Sequence, residues 1–393
     1  MGKLSMELYL KNLSKRYRAA GKREKGIILQ ELCDSSGYHK KHAIRLLNKV
    51  PKRVSRKIKT GRPNVYPEDL YLEPLKRIWL LSDQPCGKRL KMILPLWLPF
   101  YGEAYEVLEP AIYDGLLSMS AATIDRLLVP LRVKYKRSFG GTKPGSILKK
   151  HIPVKTNQWD EDRPGYLEAD TVAHCGSSLS GNFVWSLTMT DICSGWTELR
   201  AVWNKGATGV VSQIEDIEHC LPFLILGFDC DNGSEFLNWH LMHYFSNEEG
   251  AHRIHFTRSR PYHSDDNAHV EQKNWTHVRQ LFGYARFDNE ALVELMNDLY
   301  KNEVSQLNNF FLPNFKLIQK QRVQAKVIKK HSKPETPYQR LMKSDFIDEE
   351  KKKELTESYN QLNPFVLQKA IQKKLKRIFA MVNIKTDSKM RYI

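Results

Sequence analysis

Three acidic residues in this sequence lie in segments that suit metal chemistry. Asp170 is part of the alternating segment YLEADTVAHC, Asp231 follows the apolar run FLILGFDC, and Glu271 lies near the start of a helical pattern in HVEQKNW. A carboxylate on an apolar strand is costly unless an opposite charge neutralises it, and α/β sheets often bind ligands where buried strands end. Brought together, the three acids form an oxygen-only ligand set, which favours Mg²⁺ or Mn²⁺ over zinc.

Each of these acids also has a purely structural interpretation. Asp231 precedes Asn232-Gly233, which is a common turn pattern. Glu271 by itself could be a solvated residue in the first turn of a helix, and Asp170 could be held by a salt bridge. The presence of all three in separate elements favours the metal site.

Neighbouring acids compete for the same roles. Glu168 shares a strand face with Asp170, and Asp229 shares one with Asp231. Either could therefore support the metal ligands or replace one of them. Asp265 and Asp266 are expected to form the loop and N-cap that precede the Glu271 helix.

Taken in order, EADTV, DCDNGSEF and RPYHSDDNAHVEQKNW resemble the DDE transposase and retroviral integrase superfamily, and within it the bacterial insertion-sequence transposases. The resemblance covers residues 150–290 and implies a ribonuclease-H-like core, an α/β fold with a mixed sheet and flanking helices. It maps the catalytic, metal-binding triad onto Asp170, Asp231 and Glu271 with two Mg²⁺ or Mn²⁺ ions. It also implies cleavage of double-stranded DNA at element ends, strand transfer to target DNA, and a homodimer or higher oligomer on paired ends.

One position departs from that family. Integrase-like members often carry a basic residue one turn after the last Glu, whereas this chain has Trp275. Lys273 and Arg279 are the nearby basic residues expected to reach DNA. Trp275 could stack on an unpaired base, but a core position is the favoured interpretation.

Along the segments that contain the acids, the spacing of apolar residues changes from the helical period to the strand period and back. Expected strands lie at 166–175, 183–191, 196–203, 221–230 and 253–256, and expected helices at 207–219, 235–245 and 268–282. Asp191 is expected in the turn after the second strand. Ser234 is expected to cap the second helix, with Glu235 in its first turn. This order of elements predicts a mixed sheet covered by helices.

Charge is unevenly distributed along the 393 residues. The formal net charge is +18, and residues 1–60 contain 17 basic residues against 4 acidic ones, whereas residues 164–290 contain 8 against 17. A basic N-terminal region and an acidic central region indicate a polyanion-binding arm joined to a carboxylate-lined pocket. No apolar run is long enough for a membrane span, so we expect no membrane partner and a cytoplasmic protein that associates with the nucleoid when bound to DNA.

Residues 25–48 have the pattern of a helix-turn-helix. Ile28 and Leu32 are spaced for one apolar face, Gly37 can supply the turn, and the second helix carries polar residues that could face DNA. Those residues are His39, Lys40, Lys41, His42 and Arg45. A helical hairpin without DNA contacts is the alternative.

Three further segments could contact DNA. Arg62 lies in RKIKTGRP, which is typical either of a minor-groove arm or of a plain linker. Residues 118–131 could end a second helix-turn-helix, with Ser120 as N-cap and Thr123 and Arg126 facing outward. The Lys-rich tail at 369–382 is amphipathic and could bind DNA or a second subunit, or lie exposed in solvent.

The sequence therefore predicts four regions: a helix-turn-helix domain at 1–60, a second helical domain at 61–137, the catalytic core at 150–290 and a helical basic region at 291–393. A transposase is the favoured function. The alternatives are a transposon-derived DNA-binding regulator without catalysis, and a metal-dependent nuclease without strand transfer.

Overall fold

The computed structural model describes most of the chain. The described residues are 3–48, 65–135, 162–204, 206–230, 235–236, 238–246, 253–258, 268–323 and 326–382. They belong to two compact units, Met1–Val65 and Tyr66–Ile393. Asp231, Asp265, Asp266, Ser234 and Arg62 lie outside the described residues. Within the described part, no helix combines the length and apolar character that crossing a bilayer requires.

The described part of the first unit contains three helices around a small apolar core. They are α1 (Lys3–Ala19), α2 (Lys22–Ser36) and α3 (Lys40–Leu47). Leu13, Leu32 and Leu47, one from each helix, are buried against one another. Gly37 ends α2 at φ 69°, a left-handed conformation that glycine adopts without strain.

The second unit begins with a helical segment. Its helices are α4 (Glu68–Leu81), α5 (Gly87–Trp97), a 3₁₀ turn (Leu98–Phe100), α6 (Tyr101–Ala104), α7 (Pro110–Ser118) and α8 (Ala121–Lys134). The side chain of Ser120 accepts a hydrogen bond from the Thr123 amide, 3.1 Å away, so the predicted N-cap is confirmed. The segment joins the main core: Trp97 donates its indole N–H to the carbonyl of Phe311 over 3.2 Å.

The centre of this unit is a five-stranded sheet. Its strands are β1 (Tyr166–Ala173), β2 (Val184–Asp191), β3 (Thr197–Trp203), β4 (Gly227–Cys230) and β5 (His255–Arg258). The strand order is β3-β2-β1-β4-β5, with antiparallel pairing from β1 to β3 and parallel pairing of β1 with β4 and of β4 with β5. The predicted mixed sheet is confirmed, and β4 is shorter than the expected strand at 221–230.

Helices connect the strands and continue beyond them. They are α9 (Ala207–Cys220), α10 (Trp239–Tyr244), α11 (Ala268–Lys273), a π-helical turn (Asn274–Arg279), α12 (Gln280–Phe282), α13 (Leu292–Leu299) and two further π-helical turns (Tyr300–Val304 and Leu307–Phe311). The expected helix at 268–282 is confirmed, with the π-helical turn as an unpredicted feature. The helix expected from residue 235 begins at Trp239 instead, because the side chain of Asn238 accepts a hydrogen bond from the Leu241 amide over 3.0 Å and caps it there.

The C-terminal region is not entirely helical. It contains an antiparallel hairpin of β6 (Leu317–Val323) and β7 (Lys326–His331), followed by α14 (Pro337–Lys343), α15 (Glu349–Asn360) and α16 (Pro364–Met381). The expectation of a helical C-terminal region is therefore wrong at β6 and β7. These strands are Lys- and Gln-rich and lack the apolar alternation from which a strand is predicted.

Candidate active site

Asp170 lies in the middle strand of the sheet and contacts the helix that carries Glu271. Its Oδ1 accepts a hydrogen bond from the Thr171 amide at 2.7 Å, and its Oδ2 accepts one from the Asn274 side-chain amide at 2.6 Å. Asn274 begins the π-helical turn, three residues after Glu271. Residues three apart share a face of a helix, so the Asn274 hydrogen bond turns the face that bears Glu271 towards β1.

Glu168 makes a second connection between the same two elements. Its Oε2 accepts hydrogen bonds from the backbone amides of His269 and Val270, at 3.0 and 2.9 Å. These amides belong to the first turn of α11, where backbone N–H groups have no partner within the helix. A buried carboxyl group on β1 thus satisfies two of them, at the two residues directly before Glu271, and holds the first turn of the helix.

Acidic side chains are concentrated around this junction. Burial raises the pKa of Glu168 to about 8; the Val270 and His269 amides lower it, and the negative charges of Asp229 and Glu271 raise it further. Asp229 pairs with Glu168 in the parallel register of β1 and β4, and it accepts a 2.6 Å hydrogen bond from the Thr257 hydroxyl. A divalent cation would relieve this repulsion, which is the charge environment that a metal site requires.

The structure describes two of the three predicted triad residues, Asp170 and Glu271. Asp170 is half-buried and Glu271 is exposed, on adjoining elements, and β4 ends at Cys230, one residue before Asp231. Within the part of the chain that the structure describes, no three His, Cys, Asp or Glu side chains converge closely enough to hold a metal ion. Metal binding by Asp170, Asp231 and Glu271 stays a prediction.

Two expectations about neighbouring residues are wrong. Glu235 does not lie in the first turn of α10: its carboxylate is buried and accepts a 3.0 Å hydrogen bond from the Thr171 hydroxyl. Trp275 is 40% exposed rather than packed in the core. Asp191, expected in the turn after β2, is the last residue of that strand, and its carboxylate accepts hydrogen bonds from the Ser194 amide and hydroxyl in the turn, at 2.7 and 2.6 Å.

The two basic residues expected beside the site have different surroundings. Lys273 is buried, donates a hydrogen bond to the carbonyl of Gly195 over 3.3 Å, and has its pKa lowered to about 7 by burial and by the charges of Arg340 and Arg89. Arg279 is half-buried and lies over the ring of Tyr284 at 4.8 Å. Lys273 lines a groove, whereas Arg279 packs against Gly283 and Tyr284 just beyond α12.

The predicted DNA-contacting residues of the helical segments are mostly exposed. In the first unit, exposed positions on or next to α3 are occupied by His39, Lys40, Lys41, His42 and Arg45. His39 also caps α3, because its Nδ1 accepts a hydrogen bond from the Lys41 amide over 3.3 Å. On α8, Arg126 is exposed and Thr123 is half-buried against the Ser120 hydroxyl at 2.9 Å. DNA binding by all of these residues stays a prediction.

The chain is similar to one curated protein and, distantly, to solved structures. No protein-family model matches the chain. The uncharacterized protein y4rM of Sinorhizobium fredii is 36% identical over 335 residues, which cover 83% of this chain and 91% of y4rM.

Two of the similar solved structures are a catalytic core domain of BIV integrase and a simian T-cell lymphotropic virus intasome in complex with the PP2A regulatory subunit B56 gamma. The first is 16% identical with a TM-score of 0.28, covering 44% of this chain and 91% of the integrase chain. The second is 14% identical with a TM-score of 0.30, covering 49% of this chain and 62% of the matched chain.

Proposed function

The chain belongs to the same protein family as y4rM of Sinorhizobium fredii, and we propose that it is a DNA transposase with a ribonuclease-H-like catalytic core. Its reaction is metal-dependent cleavage of DNA at the ends of a mobile element, followed by strand transfer into target DNA. Asp170, Asp231 and Glu271 are the proposed catalytic residues and ligands of two Mg²⁺ or Mn²⁺ ions.

The hydrogen bonds between β1 and the Glu271 helix are the observation on which this proposal rests. Asn274 bonds to Asp170 at 2.6 Å, and Glu168 bonds to the amides of His269 and Val270. Both connections join the strand that carries the first acid to the helix that carries the last. A solvated acid at a helix start would not require either connection.

The chemistry of the proposed donors suits a pair of hard cations. The donors are carboxylate oxygens, which divalent magnesium and manganese prefer, and the raised pKa of Glu168 reflects burial together with crowding of negative charge. Such ions stabilise the attacking and leaving oxygens of an in-line displacement at phosphorus.

The protein side chains have distinct tasks in this scheme. Asn274 fixes the orientation of the Asp170 carboxylate, and Glu168 holds the first turn of α11 so that Glu271 keeps its distance from β1. Holding ligands in a fixed geometry before the substrate arrives lowers the barrier, because no reorganisation is needed during the reaction.

Recognition of the element ends is assigned to the helical segments. The exposed basic side chains of α3 and its preceding turn form a surface suited to phosphates and base edges. Arg126 on α8 provides a second exposed contact in the other unit. Cytoplasmic location and a dimer or larger assembly on paired ends complete the proposal.

A strand-transfer assay tests the function. Full-length protein is incubated with Mg²⁺, a target plasmid and labelled duplexes carrying the ends that flank its gene, with Asp170→Asn, Asp231→Asn and Glu271→Gln as variants. We expect each variant to lose cleavage and joining by at least about 10³-fold while still binding DNA. Asp345→Asn, at an exposed acid far along the chain, is the matched control and is expected to retain activity.

The same assay decides between the alternatives. Wild-type protein that binds the ends without cutting them would be a regulator, and protein that cuts without joining would be a nuclease. Either result contradicts the transposase proposal.

A further inference from the structure

A large basic groove crosses the second unit next to the candidate active site. Its volume is about 1680 Å³, and it is bounded by α5, the β2–β3 turn, α11 with the π-helical turn, the β6–β7 hairpin and α14. Pockets for small ligands are typically about 300–1,000 Å³ and mostly apolar. The size and lining of this groove favour a macromolecular ligand instead.

The charge of the lining is strongly positive. Among the described residues, nine Lys or Arg side chains line the groove against four Asp or Glu. Two of the four acids, Glu168 and Asp191, are buried and accept hydrogen bonds from backbone amides. Most of the positive charge is therefore not balanced inside the groove.

Three of the cations form a cluster at the floor. Arg89 donates to the carbonyl of Pro313 at 2.8 Å, Lys273 to that of Gly195 at 3.3 Å, and Arg340 to that of Ser194 at 2.8 Å. Carbonyl oxygens satisfy these donors but do not cancel their charge.

No ion pair among the described residues includes any of the three. Asp83 acts on Arg89 and Glu335 on Arg340, but only through longer-range attraction. Arg340 and Arg89 lie close enough to Lys273 to repel it electrostatically. Clustered like charges without acidic partners are costly, and an anion bound among them would offset that cost.

We propose that this groove binds the phosphate backbone of duplex DNA, with Arg89, Lys273 and Arg340 around phosphate at its floor and the hairpin lysines Lys329 and Lys330 along its rim. One end of the groove is lined by His269, in the first turn of α11, and by Glu168 beside it. DNA bound in the groove would therefore run towards the candidate active site. This assignment rests on the proposed function, because a DNA-processing site at that end is what makes duplex DNA the occupant.

The rim lysines give the sharpest test because both are exposed and neither has a role in the core. Full-length protein with Lys329→Gln and Lys330→Gln is compared with a variant in which two lysines outside the groove lining, Lys351 and Lys353 on α15, are changed to Gln. Binding of a labelled duplex is measured by fluorescence anisotropy over a range of salt concentrations, in EDTA so that no cleavage occurs. Thermal melts verify that both variants are folded.

We expect the rim variant to bind the duplex at least about tenfold more weakly at low salt. The magnitude of the slope of log K against log salt should fall by about 2, because two phosphate contacts are removed. The α15 variant should match the wild type. Lysine acetylation with and without the duplex gives a direct second measurement: Lys329 and Lys330 should be protected, and Lys351 and Lys353 should not.

An unchanged affinity together with unprotected rim lysines would overturn the groove assignment. That result is distinguishable from failure of the transposase proposal, because binding in EDTA does not depend on catalysis. Conversely, protected rim lysines in a protein whose Asp170→Asn variant still cuts DNA would retain the groove and reject the catalytic assignment.

Discussion

The side-chain amide of Asn274 donates a hydrogen bond to Oδ2 of Asp170 across 2.6 Å. This contact joins the central strand to the π-helical turn that directly follows α11. π-helical turns are rare and occur frequently at functional sites. Because Asn274 is three residues after Glu271, we expect its bond to Asp170 to align the two proposed metal ligands.

Replacing Asn274 by Ala removes that alignment. We expect strand transfer to fall by about 10- to 100-fold, since small displacements of catalytic groups have large effects on rate, and stability to fall by about 1–2 kcal/mol through loss of a hydrogen bond to a charged group. Transfer rates and urea denaturation measure the two effects. Asn302→Ala is the matched control, because that exposed amide donates to the Asp298 carboxylate at 2.7 Å and its loss should change neither. Wild-type transfer by Asn274→Ala would show that the contact does not position the site.

Substitutions of Glu168 distinguish a positioning role of this residue from direct metal binding. Ala at this position leaves the amides of His269 and Val270 without their acceptor, so we expect a loss of about 1–3 kcal/mol in stability and about 100-fold in activity. Gln retains an acceptor oxygen and should recover most of both. The measurements are urea denaturation and strand transfer with Mg²⁺. If Glu168→Gln is folded but as inactive as Asp170→Asn, Glu168 is a metal ligand rather than a positioning residue.

The elements with strong local patterns could be predicted from the sequence. Apolar alternation defines β1, β2 and β3, and helical spacing defines α9 and the helix from Ala268 to Phe282. The acids Asp170 and Glu271 could be chosen because each lies in such an element.

What could not be predicted depends on contacts between distant residues. The start of the Trp239 helix is decided by the cap at Asn238, and the π-helical turn has no signal in its own residues. The bond from Glu168 to the α11 amides joins residues about a hundred positions apart. Arg89 and Arg340 likewise become neighbours of Lys273 only after folding. Local periodicity carries no information about such pairs.

His174 should make stability decrease in acid. Its ring is buried, lies 4.9 Å from that of Phe287 and hydrogen-bonds to the Ser186 hydroxyl at 2.8 Å, and burial, with a smaller effect of Arg279, lowers its pKa to about 3. Below its ordinary pKa of about 6.5 the unfolded chain binds a proton that the folded chain does not, so stability is lost as pH falls towards 3.

Urea denaturation at pH 7.5 and 5.0 measures this effect. The wild type should lose about 2 kcal/mol more between these pH values than His174→Gln, which cannot take up the proton. His240→Gln, at an exposed position, should show the pH dependence of the wild type. Equal losses in wild type and His174→Gln would mean that His174 is already protonated, or solvated, in the folded protein.

The first unit offers a charge-matched test of DNA recognition. Lys41 and Arg45 are exposed on α3, while Lys11 and Lys15 are exposed on α1 of the same unit. If α3 contacts DNA, Lys41→Gln with Arg45→Gln should weaken binding of the element-end duplex at least about tenfold and reduce the salt slope by about 2. Lys11→Gln with Lys15→Gln removes the same charge from the other helix and should have a much smaller effect. Equal weakening by the two pairs would indicate attraction by net charge alone, and the helix-turn-helix interpretation of residues 25–48 would then be wrong.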